Sequence, residues 1–328
     1  MKPAPSDDDD PMSTLSTQML QLLDAQAALG WKPVAELSVA EIRKLPTLTD
    51  AAARLLRQQG KAASDGGVTT QDLQYGTVAP QLARAYRPTS VAAGAPLILY
   101  FHGGCFVDGG IAAFAPSAQA LARRTGAIVV APEYRLAPEH RFPAAQDDAW
   151  AAYQWLLAQA TALGGDARRL ALVGEAAGGN LAVNTAVRAR ASGLRKPVYL
   201  ALIYPIIGTD TNSYSYNRTE GARPLNKAAM RWYFKQAIAD KDLEDKRLNL
   251  GDFDLQNLPN TAIITADVDP LMFEGKLFGH KLESSNVPTR YMNYEGVTHG
   301  FFGQDAVLRD AANAQALIAE ELVAAFKV

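Results

Sequence analysis

One segment of the sequence joins an apolar run to a turn of very small residues. Residues 170–173 read Leu-Ala-Leu-Val, and residues 174–179 read Gly-Glu-Ala-Ala-Gly-Gly. Only tiny side chains fit where a sharp turn presses a strand against a helix, and the residue at its tip projects above the sheet, beside a helix N-terminus that favours negative charge. In the usual pattern Gly-x-Ser-x-Gly, this middle residue is an attacking serine. The corresponding residue here is Ala176.

Two later segments supply the partners that such a serine needs. His299 follows the last predicted strand, and Asp269 follows the strand before it. We expect His299 to act as general base and then general acid, and Asp269 to fix its tautomer and stabilise the imidazolium. Asp267 competes with Asp269 for this role, and two carboxylates two residues apart also suggest a pair of metal ligands. Spacing alone leaves both carboxylates open, and only the match of the Asp-Pro-Leu run at 269–271 to the family resemblance given below favours Asp269 and makes a metal site improbable.

A glycine-rich loop follows the third predicted strand. It reads His102, Gly103, Gly104, Cys105. Glycines allow the backbone to approach a substrate carbonyl, so we predict an oxyanion hole formed by this loop and the amide of Ala177. The donors would be the amides of Gly104, Cys105 and Ala177, with Gly103 as part of the hole, and His102 would brace the loop.

Cys105 is the only cysteine of the 328 residues. It lies near a histidine, which suggests a thiol nucleophile. However, a nucleophile must lie opposite the oxyanion donors, and Cys105 belongs to the donor loop, so we reject that role. A single cysteine cannot form an internal disulfide, which favours a cytoplasmic location.

Composition and charge exclude several classes of protein. The chain has 32 basic and 34 acidic residues, a net charge of -2, and 48% apolar residues. These values are typical of a globular protein and leave no broad basic surface for nucleic acid or an anionic membrane. The sequence contains no run of 18 apolar residues, so it predicts no membrane-spanning helix. Residues 1–11 contain four consecutive aspartates, which predicts a disordered tail or an expression-vector remnant instead of a secretory leader.

The remaining sequence alternates between strand and helix patterns, after helical patterns at 15–29, 38–45 and 50–59. Eight strands are predicted at 72–79, 81–86, 97–101, 127–131, 170–173, 198–204, 262–265 and 290–294. Helices are predicted at 115–124, 144–160, 178–190, 227–239, 273–285 and 305–326. The first two strands form a hairpin, and the alternation predicts an α/β fold with a mostly parallel eight-stranded sheet, helices on both faces, and function at the carboxyl ends of the strands.

The glycine loop, the small-residue turn, the acid and the histidine, in this order, resemble the hormone-sensitive lipase family of α/β-hydrolase-fold carboxylesterases. The likeness extends to residues 132–145 and 215–233. It implies hydrolysis of esters with short to medium acyl chains through an acyl-enzyme, with no cofactor and no metal. It also implies a cap built from N-terminal helices at 12–65 and an insert at about 208–245, over a catalytic domain at 66–328.

The sequence departs from the family at two positions. Cys105 replaces the third glycine of the family's glycine loop, which keeps the amide but crowds the oxyanion hole. Ala176 lacks the nucleophilic hydroxyl, so we expect this chain to bind esters and scarcely cleave them. We interpret it as a deliberately inactivated serine-to-alanine variant of a working esterase. The alternative is a natural pseudoenzyme that binds a small ligand, as the plant gibberellin receptors do on this fold.

Several side chains allow more than one interpretation. Phe106 and Trp232 are predicted to bind substrate, together with Trp31, Tyr233 and Phe234, although internal packing explains such aromatics equally well. Glu175 either orients the turn or is a solvated or salt-bridged carboxylate. His140 and His280 are expected at the surface. The expected partner is a small ester, with no nucleic acid and no membrane, and an exposed last strand favours a homodimer.

Overall fold

The computed structural model describes residues 10–61, 66–76 and 80–327. Its strands are β1 (Val68–Tyr75), β2 (Gln81–Pro88), β3 (Ala95–Phe101), β4 (Ile128–Pro132), β5 (Gly165–Glu175), β6 (Leu200–Ile203), β7 (Thr261–Val268) and β8 (Thr289–Thr298). They form one sheet in the order β1-β2-β4-β3-β5-β6-β7-β8. β2 pairs antiparallel with β1 and β4, and every other pair is parallel. The predicted eight-stranded, mostly parallel sheet is confirmed.

The helices connect the strands and cover the sheet. They are α1 (Thr17–Ala27), α2 (Val39–Ile42), α3 (Leu48–Gln58), α4 (Ile111–Thr125), α5 (Ala144–Gln159), α6 (Ala177–Ser192), α7 (Tyr214–Arg218), α8 (Lys227–Ala237), α9 (Met272–Ser284) and α10 (Arg309–Ala325). Two apolar clusters, one on each face, contain Tyr153, Leu181 and Phe278 in one case and Leu121, Phe302 and Ile318 in the other. Central strands are therefore buried on both sides, which explains their continuous apolar sequences.

Several strands and helices begin or end at residues other than those predicted. β5 begins at Gly165, earlier than predicted, because the polar residues that follow continue the strand and Gly165 pairs with Ala95. The strand predicted at 72–79 corresponds to β1, which begins earlier, at Val68, and ends at Tyr75. The last part of the predicted strand, at 77–79, lies outside the described residues. α10 begins later than predicted because a turn at Gln304, closed by the amides of Val307 and Leu308, precedes it.

The N-terminal segment contains well-capped short helices. Ser38 and Glu41 form the predicted capping box at α2, and Thr47 and Asp50 form a second one at α3. Residues 1–9 of the predicted tail lie outside the described residues, and Asp10 caps a short 3-10 helix, Pro11–Thr14. The predicted cap segments contain α1 to α3 and α7 to α8, and their division from the catalytic domain stays a prediction. In the described part of the chain, none of the helices has the length and apolar character needed to cross a membrane.

Candidate active site

The turn between β5 and α6 holds Ala176 in a strained backbone conformation. Its φ is 50° and its ψ is -112°, a region that costs an L-residue about 1–3 kcal/mol. The Ala176 amide donates to the Ile203 carbonyl at 2.9 Å, and the Ala176 carbonyl accepts from the amides of Gly179 and Ile206, each at 3.0 Å. These bonds to the end of β6 and to α6 hold the turn at the carboxyl edge of the sheet.

The glycines around this turn are required by close packing. A Cβ on Gly174 would lie 2.0 Å from the Gly178 carbonyl oxygen, and a Cβ on Gly178 would lie 2.0 Å from the Phe101 carbonyl oxygen. A Cβ on Gly179 would lie 2.6 Å from the Pro205 Cβ. The sequence pattern at 174–179 therefore reflects direct contact between β5, α6 and the end of β3.

The structure brings His299 and Asp269 together. Nδ1 of His299 lies 2.7 Å from Oδ2 of Asp269, whose side chain is fully buried. The Leu271 amide donates to Oδ1 of Asp269 at 2.9 Å and fixes the carboxylate. Asp267, the competing acid, instead pairs with Arg218 at 3.1 Å. With Nδ1 directed at the carboxylate, Nε2 of His299 is the ring nitrogen available for another partner.

A buried carboxylate lies next to this pair. Glu175 is 1% exposed and accepts hydrogen bonds from the hydroxyl of Tyr100, at 2.5 Å, and from that of Tyr204. Burial raises the pKa of the Glu175 carboxyl, and the hydrogen bonds from these tyrosines oppose the rise. The Tyr204 ring lies 4.6 Å from the His299 ring, centroid to centroid. The interpretation of Glu175 as solvated or salt-bridged is therefore wrong, because the tyrosines enclose it.

The glycine loop after β3 also has an unusual backbone. Gly104, Cys105 and Phe106 all have positive φ, at 108°, 50° and 66°. The Gly104 carbonyl accepts from the amides of Val107 and Asp108 at 2.9 and 3.0 Å, which closes the loop on itself. Among the described residues, no hydrogen bond uses the amides of Gly104, Cys105 or Ala177. These N–H groups are therefore available to an acceptor that enters the site.

His102 holds the base of this loop. Its Nδ1 lies 2.6 Å from the Gly103 carbonyl oxygen, its Nε2 lies 3.3 Å from a Glu133 carboxylate oxygen, and its ring stacks on Tyr134 at 4.2 Å. The Tyr134 hydroxyl donates to the carbonyls of His102 and Gly103. His102 is fully buried, in the bracing position that the sequence predicted.

Cys105 is unsuited to nucleophilic attack. It is buried, and its Sγ lies 3.8 Å from the sulfur of Met230. Burial raises the pKa of the Cys105 thiol well above its usual range, and the carboxylates of Asp108 and Asp269 add to the rise. Since the thiolate is the nucleophilic form of cysteine, this environment suppresses thiol chemistry.

Comparison with known proteins places this architecture in a family. Residues 98–303 match the family described as alpha/beta hydrolase fold. The chain belongs to this family. It is 36% identical to the carboxylesterase NlhH of Mycobacterium tuberculosis, over 70% of this chain and 74% of that protein. It is 33% identical to an ethyl acetate hydrolase of Pseudomonas putida, over 92% of this chain and 96% of that protein.

A solved structure supports the same assignment. It is a serine-to-alanine mutant of an alpha/beta hydrolase enzyme from the metagenome of Lake Arreo, Spain. Its sequence is 32% identical, its TM-score is 0.85, and the match covers 96% of this chain and 100% of that one. The predicted α/β-hydrolase fold is therefore confirmed over nearly the whole chain.

The candidate site of this α/β-hydrolase opens into a cavity of about 550 Å³. Gly104, Glu175 and His299 line it, together with the aromatic side chains of Trp31, Phe114, Tyr204 and Tyr233. Phe106 and Trp232, predicted as substrate-binding residues, are not among the lining residues. Trp232 makes an edge contact with Tyr233, with ring centroids 5.3 Å apart.

Sequence reasoning missed several residues of this site. Tyr204 directly follows β6, so the convergence of strand ends was the signal that could have identified it. Asp108 is an acidic residue that follows the glycine loop and lines the cavity. Arg43, which follows α2, donates hydrogen bonds to the carbonyls of Val107 and Ala137 at 3.0 and 2.8 Å. No local sequence pattern predicts this contact, because its partners are far away in the chain.

The other predicted surface residues lie where expected. His140 is exposed, and His280 is exposed with its Nδ1 3.5 Å from a Glu283 carboxylate oxygen. Within residues 10–61, 66–76 and 80–327, no group of three or more His, Cys, Asp or Glu side chains is arranged to hold a metal ion.

Proposed function

We propose that this chain is a carboxylesterase that works by Ser-His-Asp acyl-enzyme chemistry and whose nucleophile position, 176, is occupied by alanine. The observation that carries the proposal is the 2.7 Å contact between His299 and the buried Asp269, at the same sheet edge as the strained turn at Ala176. A turn of this kind presents a serine hydroxyl in α/β-hydrolases. The curated relatives named as esterases support the same chemistry.

In a chain with serine at position 176, His299 would remove the hydroxyl proton through Nε2 as the oxygen attacks the ester carbonyl. It would then donate that proton to the departing alcohol and activate the water that releases the acid. Asp269 would hold Nδ1–H and stabilise the imidazolium without taking the proton. The amides of Gly104, Cys105 and Ala177 would donate to the oxyanion, and each such donor typically lowers the barrier by about 2.7–4 kcal/mol.

The alanine fits a deliberately inactivated variant better than an abandoned enzyme. The hydrogen-bonded His299–Asp269 pair, the free amides and the strained turn serve no evident purpose without a nucleophile. The backbone strain at Ala176 lowers the stability of the fold, and a protein without catalytic activity has no use for it. The alternative, a pseudoenzyme that binds a ligand without turnover, rests on the alanine alone.

The substrates that we propose are small carboxylic esters with short to medium acyl chains. A cavity of about 550 Å³, lined by aromatic and aliphatic side chains beside His299, accommodates such molecules. One relative of this chain is an ethyl acetate hydrolase, which supports the lower end of that size range.

The test is to place serine at position 176. We expect Ala176→Ser to gain on the order of 10⁶-fold in kcat with p-nitrophenyl acetate or butyrate. Ala176→Gly is the matched control, since it changes the same position without adding a hydroxyl, and it should stay inactive. Adding His299→Gln to the serine variant should remove the gain. No increase in turnover for Ala176→Ser would favour the pseudoenzyme.

We also propose a cytoplasmic location and a homodimer. The location rests on the single buried cysteine, which needs no oxidising compartment. The dimer rests on β8, a sheet edge whose Met292 is 39% exposed. Light scattering of the purified chain would decide the second point, and a monomer at all concentrations would refute it.

A further inference from the structure

A carboxylate that the proposed chemistry does not use lies in the cavity wall. Asp108 follows the glycine loop, lines the cavity and is only partly exposed. Its Oδ2 accepts a hydrogen bond from the Tyr233 hydroxyl at 2.8 Å. Its Oδ1 accepts none from the described residues. A Cβ placed on Gly104 would lie 2.7 Å from that Oδ1, so the carboxylate is adjacent to the backbone of the proposed oxyanion hole.

The charge of Asp108 is not neutralised by an ion pair. Within the described chain, no lysine or arginine nitrogen lies within salt-bridge distance of its carboxylate. Arg43 is the nearby cation, but its guanidinium already contacts the Val107 and Ala137 carbonyls and forms two 2.8 Å bonds to the Glu139 carboxylate. Glu139 therefore offsets Arg43, and a negative charge remains on the cavity wall.

The other charged groups of the cavity do not cancel this charge. Lys44 and Asp50 are exposed, and Asp50 is held in the α3 capping box by the Thr47 amide and hydroxyl. Glu175 is buried, and its two carboxylate oxygens accept hydrogen bonds from the hydroxyls of Tyr100 and Tyr204, so they are already engaged. The cavity wall thus carries a half-buried carboxylate, that of Asp108, with one oxygen that accepts no hydrogen bond from the described residues, and the aromatic side chains of Tyr233 and Trp31 line the same cavity. Aromatic rings also attract cations, through the ring quadrupole instead of a net charge.

We propose that Asp108 makes this cavity selective for esters that carry a cationic group, a quaternary ammonium or a protonated amine, near the reacting carbonyl. The proposal rests on the ester chemistry proposed above and specifies its substrate class. A cation placed between Oδ1 of Asp108 and the aromatic walls would gain both an ion pair and cation–π contact in a site partly screened from water. An uncharged ester of the same shape would gain neither.

The chain as it stands is suited to the test, because Ala176 should allow esters to bind without turnover. The probes are acetylcholine and 3,3-dimethylbutyl acetate, which have the same shape and differ in one positive charge. Calorimetry should give acetylcholine an affinity about tenfold higher, the scale of one partly screened cation contact.

A neutral, isosteric side chain should abolish the preference. Asp108→Asn keeps the size of the side chain and an acceptor for Tyr233, and it should bind the two probes equally. Asp254→Asn is the matched control, since it removes the same charge from an exposed carboxylate that does not line the cavity. It should keep the full preference.

A pH series tests the proposal without any substitution. Burial raises the pKa of Asp108 to about 6, and the Tyr233 hydrogen bond and the electrostatic interactions with His102 and Arg43 oppose the rise. The titratable groups that face it also include Cys105 and Tyr134. Because the probe charge is permanent, the preference for acetylcholine should fall as the pH drops below about 6, and the affinity for the neutral ester should not follow it.

The outcomes separate this proposal from the proposed function. Equal affinity for both probes at pH 7.5, or a preference that survives in Asp108→Asn, would overturn the selectivity while leaving the esterase assignment intact. Failure of both probes to bind, together with an active Ala176→Ser variant, would also refute the cationic substrate class. Failure of both probes and an inactive Ala176→Ser variant would remove the proposed function itself.

Discussion

At the scale of single residues, Ala176 combines a buried methyl group with a backbone that alanine rarely adopts. The side chain is 1% exposed, and φ is 50°. The strain is fixed by the hydrogen bonds that the turn makes with β6 and α6, so the turn keeps this conformation with alanine at position 176. Replacing Ala176 by glycine should therefore have two opposed effects on the free energy of unfolding. Relief of the backbone strain raises it, and loss of the buried methyl group lowers it.

We expect Ala176→Gly to be tolerated far better than a glycine elsewhere in the same buried segment. Glycine relieves about 1–3 kcal/mol of strain, which offsets the lost methyl contact and the chain entropy. Ala182→Gly, in the middle of α6, loses both contact and helix propensity with no relief, a cost of at least about 1 kcal/mol. Urea unfolding of both variants measures the difference. A larger loss for Ala176→Gly would show that the turn carries no strain.

Asp108 gives a second prediction at this scale, on stability against pH. Its pKa is raised from 3.8 to about 6, chiefly by burial, so its ionised form is disfavoured in the folded state. The folded chain holds the proton more tightly than the unfolded chain, and Asp108 therefore lowers stability progressively as the pH rises from about 4 to 6.

Asp108→Asn should consequently raise the melting temperature at pH 7.5 more than at pH 4. Thermal melts of the parent and variant at both values measure this difference. The exposed-site variant Asp254→Asn should show no such rise. An Asp108→Asn effect that is the same at both pH values would contradict the assigned environment.

At the scale of elements, the turn between β5 and α6, which holds the proposed nucleophile position, is also a point of close packing between three elements. Gly178 contacts the carbonyl of Phe101 at the end of β3, so three elements meet where no side chain fits. This close packing places the glycine loop, which begins after β3 and which we propose forms the oxyanion hole, directly beside the N-terminus of α6. The same contact therefore fixes the relative positions of the two groups of amide donors.

We expect Gly178→Ala to destabilise the fold by at least about 3 kcal/mol, because its Cβ would overlap backbone that cannot move aside. Gly193→Ala at the end of α6 is the matched control. Its φ is 68° but nothing lies within 4 Å of its Cβ, so it should cost only about 1–2 kcal/mol of backbone strain. Chemical unfolding distinguishes them. Equal effects would mean that conformational freedom, and not the close approach, selects glycine at 178.

At the scale of the whole molecule, the N-terminal helices share the core of the sheet. Met19 and Leu22 of α1 are fully buried in the same apolar cluster as α4 and α10. The Ser16 amide donates to the Gly296 carbonyl in β8 at 2.9 Å, and the Arg309 amide at α10 donates to the Gln18 side chain at 3.1 Å. A helix tied to the sheet in this way should not unfold independently.

Leu22→Ala should lower the stability of the entire chain by about 2–5 kcal/mol, as is usual for a cavity in a core. The exposed neighbour Gln21→Ala should have little effect. Circular dichroism and tryptophan fluorescence, followed together during urea unfolding, should report one shared transition. Two separated transitions would show that the N-terminal helices form an independent unit.

The sequence by itself determined the order of elements and the chemistry-bearing positions. Runs of apolar residues identified the central strands because strands buried on both faces carry mostly apolar side chains. The small residues at 174–179 and the placement of His299 and Asp269 after successive strands identified the candidate site, because parallel strands end at one edge. Local rules of this kind act within a few residues and can be recognised in the amino-acid sequence.

Only the tertiary structure decided which side chains face the cavity and how their charges are balanced. Glu175 is enclosed by Tyr100 and Tyr204, and Asp108 lies beside Tyr233, although these partners are far apart in the chain. Burial and pKa depend on all the elements that surround a group, and no residue type or local spacing encodes that environment. The proposed nucleophile position could therefore be recognised in the sequence, while the proposed preference for a substrate could be inferred only from the folded cavity.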